Sequence, residues 1–191
     1  MKSTEFTPEK SLELITQVIA EARDRFEENG FIYMLWGALI ALASFGQFVL
    51  IKAGHGDISW YPYLLMPAGA IYTSFYYARR KKPNHGNVIS LMMTALWVVL
   101  SIYMMVLGFL FGGSLKENLI PVILILLSIG ITVSGTSLKS GLLIAAGIFI
   151  GLSAFAGFYF DRTGQSLLMG VVSFIAIFFP GLILMYKHKR R

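Results

Sequence analysis

From Phe31 onward the chain alternates long apolar runs with short polar breaks. Crossing a hydrocarbon core as a helix takes about 20 mainly apolar residues, at roughly 1.5 Å of rise each. Six runs reach that length: about Phe31 to Ile51, Trp60 to Ala78, Val88 to Phe111, Leu119 to Leu138, Gly141 to Phe160 and Leu167 to Tyr186. Only Lys139 and Ser140 part the fourth from the fifth, but one helix of about 40 residues would be near twice the core thickness, so two are expected. The pattern predicts an all-α polytopic membrane protein with six transmembrane helices.

The first thirty residues follow a different rule. Leu12, Ile15, Ile19, Ala22 and Phe26 recur at steps of three and four, which gives one narrow apolar stripe on a charged helix. Thr7-Pro8-Glu9 reads as its N-cap, first-turn proline and acid at the positive dipole end, and Asn29-Gly30 as its stop. The expected organisation is an amphipathic helix in residues 1–30, a bundle over 31–186 and a basic tail over 187–191. Nothing in the first thirty residues resembles a removable signal peptide, so the first span is expected to stay as an anchor.

Charge orients the bundle. Residues 1–30 hold seven acids and four bases, and residues 31–191 hold three acids and twelve bases. With an even number of spans, Arg79, Arg80, Lys81, Lys82, Lys139 and the tail share the side of the N-terminus, whereas the opposite loops hold only Lys52, Lys116 and Arg162. By the positive-inside rule both ends are cytoplasmic. Trp60, Tyr61, Tyr63, Tyr76, Tyr77, Tyr159, Tyr33 and Trp36 fall near span ends, where amphipathic rings anchor at headgroup depth.

The stripe has three possible targets: the inner leaflet, another subunit or partner helix, or the underside of the bundle. Because the helix is net acidic, docking of Leu12, Ile15, Ile19 and Phe26 beneath the bundle, beside Arg79, Arg80, Lys81 and Lys82, is favoured. The run Arg79 to Lys82 has no interleaved aromatics for stacking, so anionic lipid explains it better than nucleic acid.

Chemistry inside the membrane is sparse. The chain has no cysteine, which excludes disulfides, thiolate nucleophiles and Cys-ligated metals, and no span interior holds an ionisable group. His55, His85 and His188 fall in loops or the tail on both faces, so no shared metal site is expected. Paired carboxylates, a His cluster and a Ser with a nearby base are missing from the spans, and no catalytic residue or cofactor follows. Neutral polarity remains: Gln47 as the amide within a span, and hydroxyls that include Thr73, Thr94 and Thr132, as a polar pathway or as glue between helices. Gly147-x-x-x-Gly151 and Gly37-x-x-x-Ala41 permit close backbone approach, and Pro180-Gly181 should bend the last span.

Gly37, Ile40, Leu42, Phe45 and Phe48 overlay Gly147, Ile150, Leu152, Phe155 and Phe158 without gaps. A repeat of three two-helix hairpins in one orientation is one reading of this, and chance matching within a small apolar alphabet is the other.

Ser11-Leu12-Glu13-Leu14-Ile15, then Glu28-Asn29-Gly30-Phe31 leading through Leu35-Trp36-Gly37 to Phe45-Gly46-Gln47-Phe48, with Phe179-Pro180-Gly181 in the last span, carry a family likeness. The chain resembles a family of uncharacterised bacterial multi-pass membrane proteins with an S-L-x-L-I start, an E-N-G…L-W-G lead into the first span and a late P-G-x-x-L. The resemblance implies a bacterial cytoplasmic (inner) membrane location and carries over no site.

Three function classes follow. A non-enzymatic association or regulatory component leads, with membrane lipid and either its own kind or a protein partner held through the N-terminal helix. A small transporter with a neutral pathway near Gln47 is the alternative, and an interfacial lipid enzyme using His55 and Asp57 is third. A solute-accessible Gln47 would favour transport, and a filled bundle would favour association.

Overall fold

The computed structural model describes residues 30–79 and 88–189, and every regular element among them is helical. In chain order these are α1 (Gly30–Lys52), a 3-10 turn at Tyr61–Leu64, α2 (Leu65–Arg79), α3 (Val88–Phe109), a short turn of helix at Gly112–Leu115, α4 (Leu119–Ser137), α5 (Gly141–Gly157), α6 (Arg162–Ser173), a π turn at Phe174–Phe178 and α7 (Phe179–Lys189). The expected helix in residues 1–30, with Leu12, Ile15, Ile19 and Phe26, lies outside the described residues. So do Arg80, Lys81, Lys82, His85 and the final two residues of the tail.

Four of the six apolar stretches are long and apolar enough to cross a membrane: Gly30–Lys52, Leu91–Phe109, Gly112–Ser137 and Arg162–Tyr186. The other two are shorter among the described residues. Pro62 sits in the 3-10 turn that precedes α2, so the regular helix starts at Leu65 and is described to Arg79. α5 ends after 17 residues at Gly157, where the chain breaks toward Asp161.

Two antiparallel pairs build the centre. α1 runs against α6 and α7, and α4 runs against α5, while α2 leans on α1 and α3 leans on α4. Leu124, Ile131, Leu143, Ile150 and Val172 fill the space between the pairs. Lipid tails are as apolar as leucine, so helices in a bilayer are held by close packing and hydrogen bonds rather than by escape from water. The central pairs meet that requirement with small residues. A Cβ on Gly37 would land on the backbone of Phe178, one on Gly181 would strike Met34, and one on Gly147 would strike Thr132.

The turn between α4 and α5 is a helix stop closed by its own backbone. Ser140 N–H donates to Gly135 O at 2.8 Å and Lys139 N–H to Thr136 O at 3.1 Å, with Lys139 in the left-handed region at φ 52°. That geometry divides Leu119 to Phe160 into two helices, as helix length required. The last span holds a π turn immediately before the proline that the sequence marks as a bend. Phe179 N–H reaches Phe174 O, and the widened turn accommodates Pro180, which has no N–H to give to the turn before it.

Candidate functional site

At the end of the bundle where α1 finishes, the 3-10 turn and α6 begin, and neutral polar side chains converge. Gln47 is buried, at 6% exposure. Its Oε1 accepts from Ser166 Oγ at 2.6 Å and from Tyr63 OH at 3.1 Å. A tyrosine hydroxyl has one proton, so with that proton on Gln47 the 3.2 Å contact to Ser44 has Ser44 Oγ donating to Tyr63 OH. The chain of bonds runs Ser44 to Tyr63 to Gln47, with Ser166 entering from the other side. Three elements are tied through a single amide oxygen.

Two further contacts extend this tie to the neighbouring loops. Arg162 Nη2 donates to Ser59 Oγ at 3.1 Å, and Ser59 donates to Gly56 O at 2.7 Å, which pins the segment between α1 and α2 to the start of α6. Gln165, at 2% exposure, gives both amide hydrogens to the end of α5, at 3.0 Å to Gly157 O and 3.0 Å to Phe160 O. Gly157 O also accepts from Phe160 N–H at 3.1 Å, and the glutamine, bonding that carbonyl and Phe160 O beyond it, closes the end of α5 as a cap would. Asp161 caps α6 in turn, its extended backbone placing Oδ1 3.0 Å from Gly164 N. The Gly164 N–H holds the Asp161 carboxyl below the usual aspartate range, with the nearby Lys52 acting in the same direction.

A second polar device occurs twice. Trp36 Nε1 donates to Thr73 Oγ1 at 3.1 Å, and Thr73 donates onward to Gly69 O at 2.8 Å. Trp97 Nε1 donates to Ser134 Oγ at 3.1 Å, and Ser134 donates onward to Gly130 O at 2.8 Å. In both, the donor and the hydroxyl lie 37 residues apart, and the glycine beneath the indole is also covered by a leucine, Leu39 or Leu100. Each residue of the second set follows its counterpart by the same number of positions. α1–α2 and α3–α4 are therefore clamped alike.

The residues singled out by sequence separate into different contacts. Gln47 meets Tyr63 and Ser166, Thr73 meets Trp36, Thr132 faces Gly147 across the α4–α5 pair, and Thr94 lies on an exposed face of α3. Arg79 is exposed at the end of α2 with its guanidinium 5.9 Å from the Phe75 ring centroid. Tyr33 is buried in the core, edge-on to Trp97 at 6.2 Å, and Tyr63 is half-buried with its hydroxyl on Gln47. Trp60, Tyr61 and Tyr159 remain exposed. His55 and Asp57 are exposed in the segment after α1, and among the described residues no three His, Cys, Asp or Glu side chains gather as a metal site.

Sequence reasoning missed Ser44, Ser59, Gln165 and Ser166. The signal was the three-residue step from Ser44 to Gln47, which puts both on one face of α1. No protein-family model, curated protein or solved structure matches the chain.

Proposed function

We propose that the protein is a six-span component of a bacterial cytoplasmic membrane, with both ends in the cytoplasm, that works by association rather than by transport or catalysis. Helix length supports the two spans beyond the four longest. The 3-10 turn and α2 together reach about 30 Å at roughly 2.0 and 1.5 Å per residue, and α5 reaches about 25 Å. Orientation rests on the concentration of Lys and Arg in alternate loops. The bacterial setting rests on the family likeness of the first span and its approach.

The observation that carries the reading is the engagement of Gln47. A neutral pathway would need this amide free to exchange bonds with a passing solute, yet its oxygen is already held by Tyr63 and Ser166 from two other elements. The polarity within the bundle is spent on joining helices. Association then falls to the surfaces outside the core: the acidic amphipathic segment with Leu12, Ile15, Ile19 and Phe26, and the basic run from Arg79 to Lys82. Affinity purification from native membranes, with and without residues 1–29, tests this. Loss of co-purifying partners on truncation supports it, and an unchanged partner set overturns it. The natural lack of cysteine allows a direct topology test. A cysteine replacing His55 or Glu117 should react with an impermeant maleimide from outside, and one replacing Lys82 or Lys139 should not.

A further inference from the structure

The twin tryptophan clamps set the hairpins α1–α2 and α3–α4 in register, and the overlay of α1 on α5 adds the third hairpin, α5 to α7. Three hairpins arranged as a ring have three joints, each between the second helix of one hairpin and the first of the next. Two are closed. α4 meets α5 through Ser128 against Gly151, Thr132 against Gly147 and Gly135 against Leu143 and Ile144, and α7 meets α1 through Gly181 and Gly37.

Among the described residues the third joint, α2 to α3, is not closely packed: α2 leans on α1 and α3 on α4. Register gives the reason. The positions of α2 equivalent to Ser128, Thr132 and Gly135 are Pro67, Ile71 and Ser74. Those of α3 equivalent to Gly37 and Ala41 are Val98 and Ile102. Ser74 stays small, but branched side chains stand at three of the positions and are exposed, Ile71 by 65%, Val98 by 51% and Ile102 by 52%.

We propose that this seam binds one anionic phospholipid, its acyl chains against Ile71, Val98 and Ile102 and its phosphate paired with Arg79. A helix from another protein would gain little here, because branched side chains hold a second backbone away and those three residues offer no hydrogen bond. A flexible acyl chain conforms to such a surface. Ile71, Phe75 and Arg79 recur at steps of four, so one exposed face of α2 carries apolar contact along its length and a cation at its end. That end stands where a headgroup would lie. The inference rests on the six-span reading, since α2 must cross the bilayer for its face to meet lipid.

The test is native mass spectrometry of the full chain in detergent with dioleoyl phosphatidylglycerol or dioleoyl phosphatidylcholine. One phosphatidylglycerol should be retained in preference to phosphatidylcholine, and Arg79→Gln should weaken that retention about fivefold. Val98→Trp, which fills the seam, should also displace the lipid without changing the unfolding temperature of the lipid-free protein. Equal retention of both lipids, an unaltered Arg79→Gln, or disulfide-linked dimers of Ile102→Cys in native membranes would each overturn the proposal. The maleimide labelling pattern is read separately, so a normal topology with no selective retention condemns the lipid site alone.

Discussion

The joint between α1 and α7 and the seam between α2 and α3 are made of the same apolar alphabet, yet only the first is closed. At Gly37 and Gly181 the two backbones come so close that a single added carbon would strike the opposite chain. At Ile71, Val98 and Ile102 the helices carry more apolar surface and remain apart. In water the larger surface would win. In lipid it does not, because burying apolar area against another helix gains nothing over burying it against acyl chains. Small side chains and shared hydrogen bonds decide which helices pair.

The contrast can be broken most strongly at its closed end. Gly37→Leu forces a branched side chain into the backbone of Phe178, which cannot give way as a flexible side chain could, and should cost about 3 kcal/mol or more. Unfolding by graded SDS in mixed micelles measures it. Wild-type stability for this variant would refute the close packing of α1 on α7.

Next comes the polar tie. Gln47→Leu removes the acceptor shared by Tyr63 and Ser166; Ser166 keeps Arg162 O at 2.9 Å and Tyr63 keeps Ser44, so losing the two bonds to the amide should destabilise by about 1–2 kcal/mol. Adding Tyr63→Phe and Ser166→Ala should recover part of the loss, since the hydroxyls that lose their amide partner go with it. A triple variant no better than Gln47→Leu alone would show that the amide acts through its shape rather than its bonds.

The clamps are weaker and allow a finer comparison. Trp36→Phe and Trp97→Phe keep a ring and lose the N–H, for an average of about 0.6 kcal/mol per bond, as interhelical bonds in bilayers give. Double-mutant cycles with Thr73→Val and Ser134→Ala should show equal coupling energies in the two hairpins, and unequal ones would set the hairpins apart.

The smallest effect belongs to the seam. Ile71→Ala with Val98→Ala should shift stability by about 0.5 kcal/mol at most, because both side chains are exposed and alanine keeps the helix. Spin labels on α2 and α3 should nonetheless move closer. An unchanged separation would mean that bulk does not hold this joint open.

Hydropathy made the helices legible and left their ends and their polar contacts obscure. The expected run Gly141 to Phe160 stops at Gly157 in the structure, and Leu167 to Tyr186 begins earlier, at Arg162. Arg162, Gln165 and Ser166 read as outer loop because a hydropathy window scores them as solvated. They fold into the first turns of α6, where each finds a partner in a loop, a helix end or Gln47. Trp36 was legible as an amphipathic ring near a span end. Its bond to Thr73 was not, because it depends on how two helices lie against one another. Gly37 and Gly147 could be aligned from sequence alone, but which neighbour each one admits required the fold.

The two closed joints also differ in how far along the chain their partners lie. Leu138, Lys139 and Ser140 alone connect α4 to α5, so that joint can zip up as soon as both helices leave the ribosome and enter the bilayer. α1, by contrast, is made well before its counterpart α7. Until α7 follows it into the bilayer, Gly37 has no backbone to pack against, and this joint locks only after the helices between them are in place.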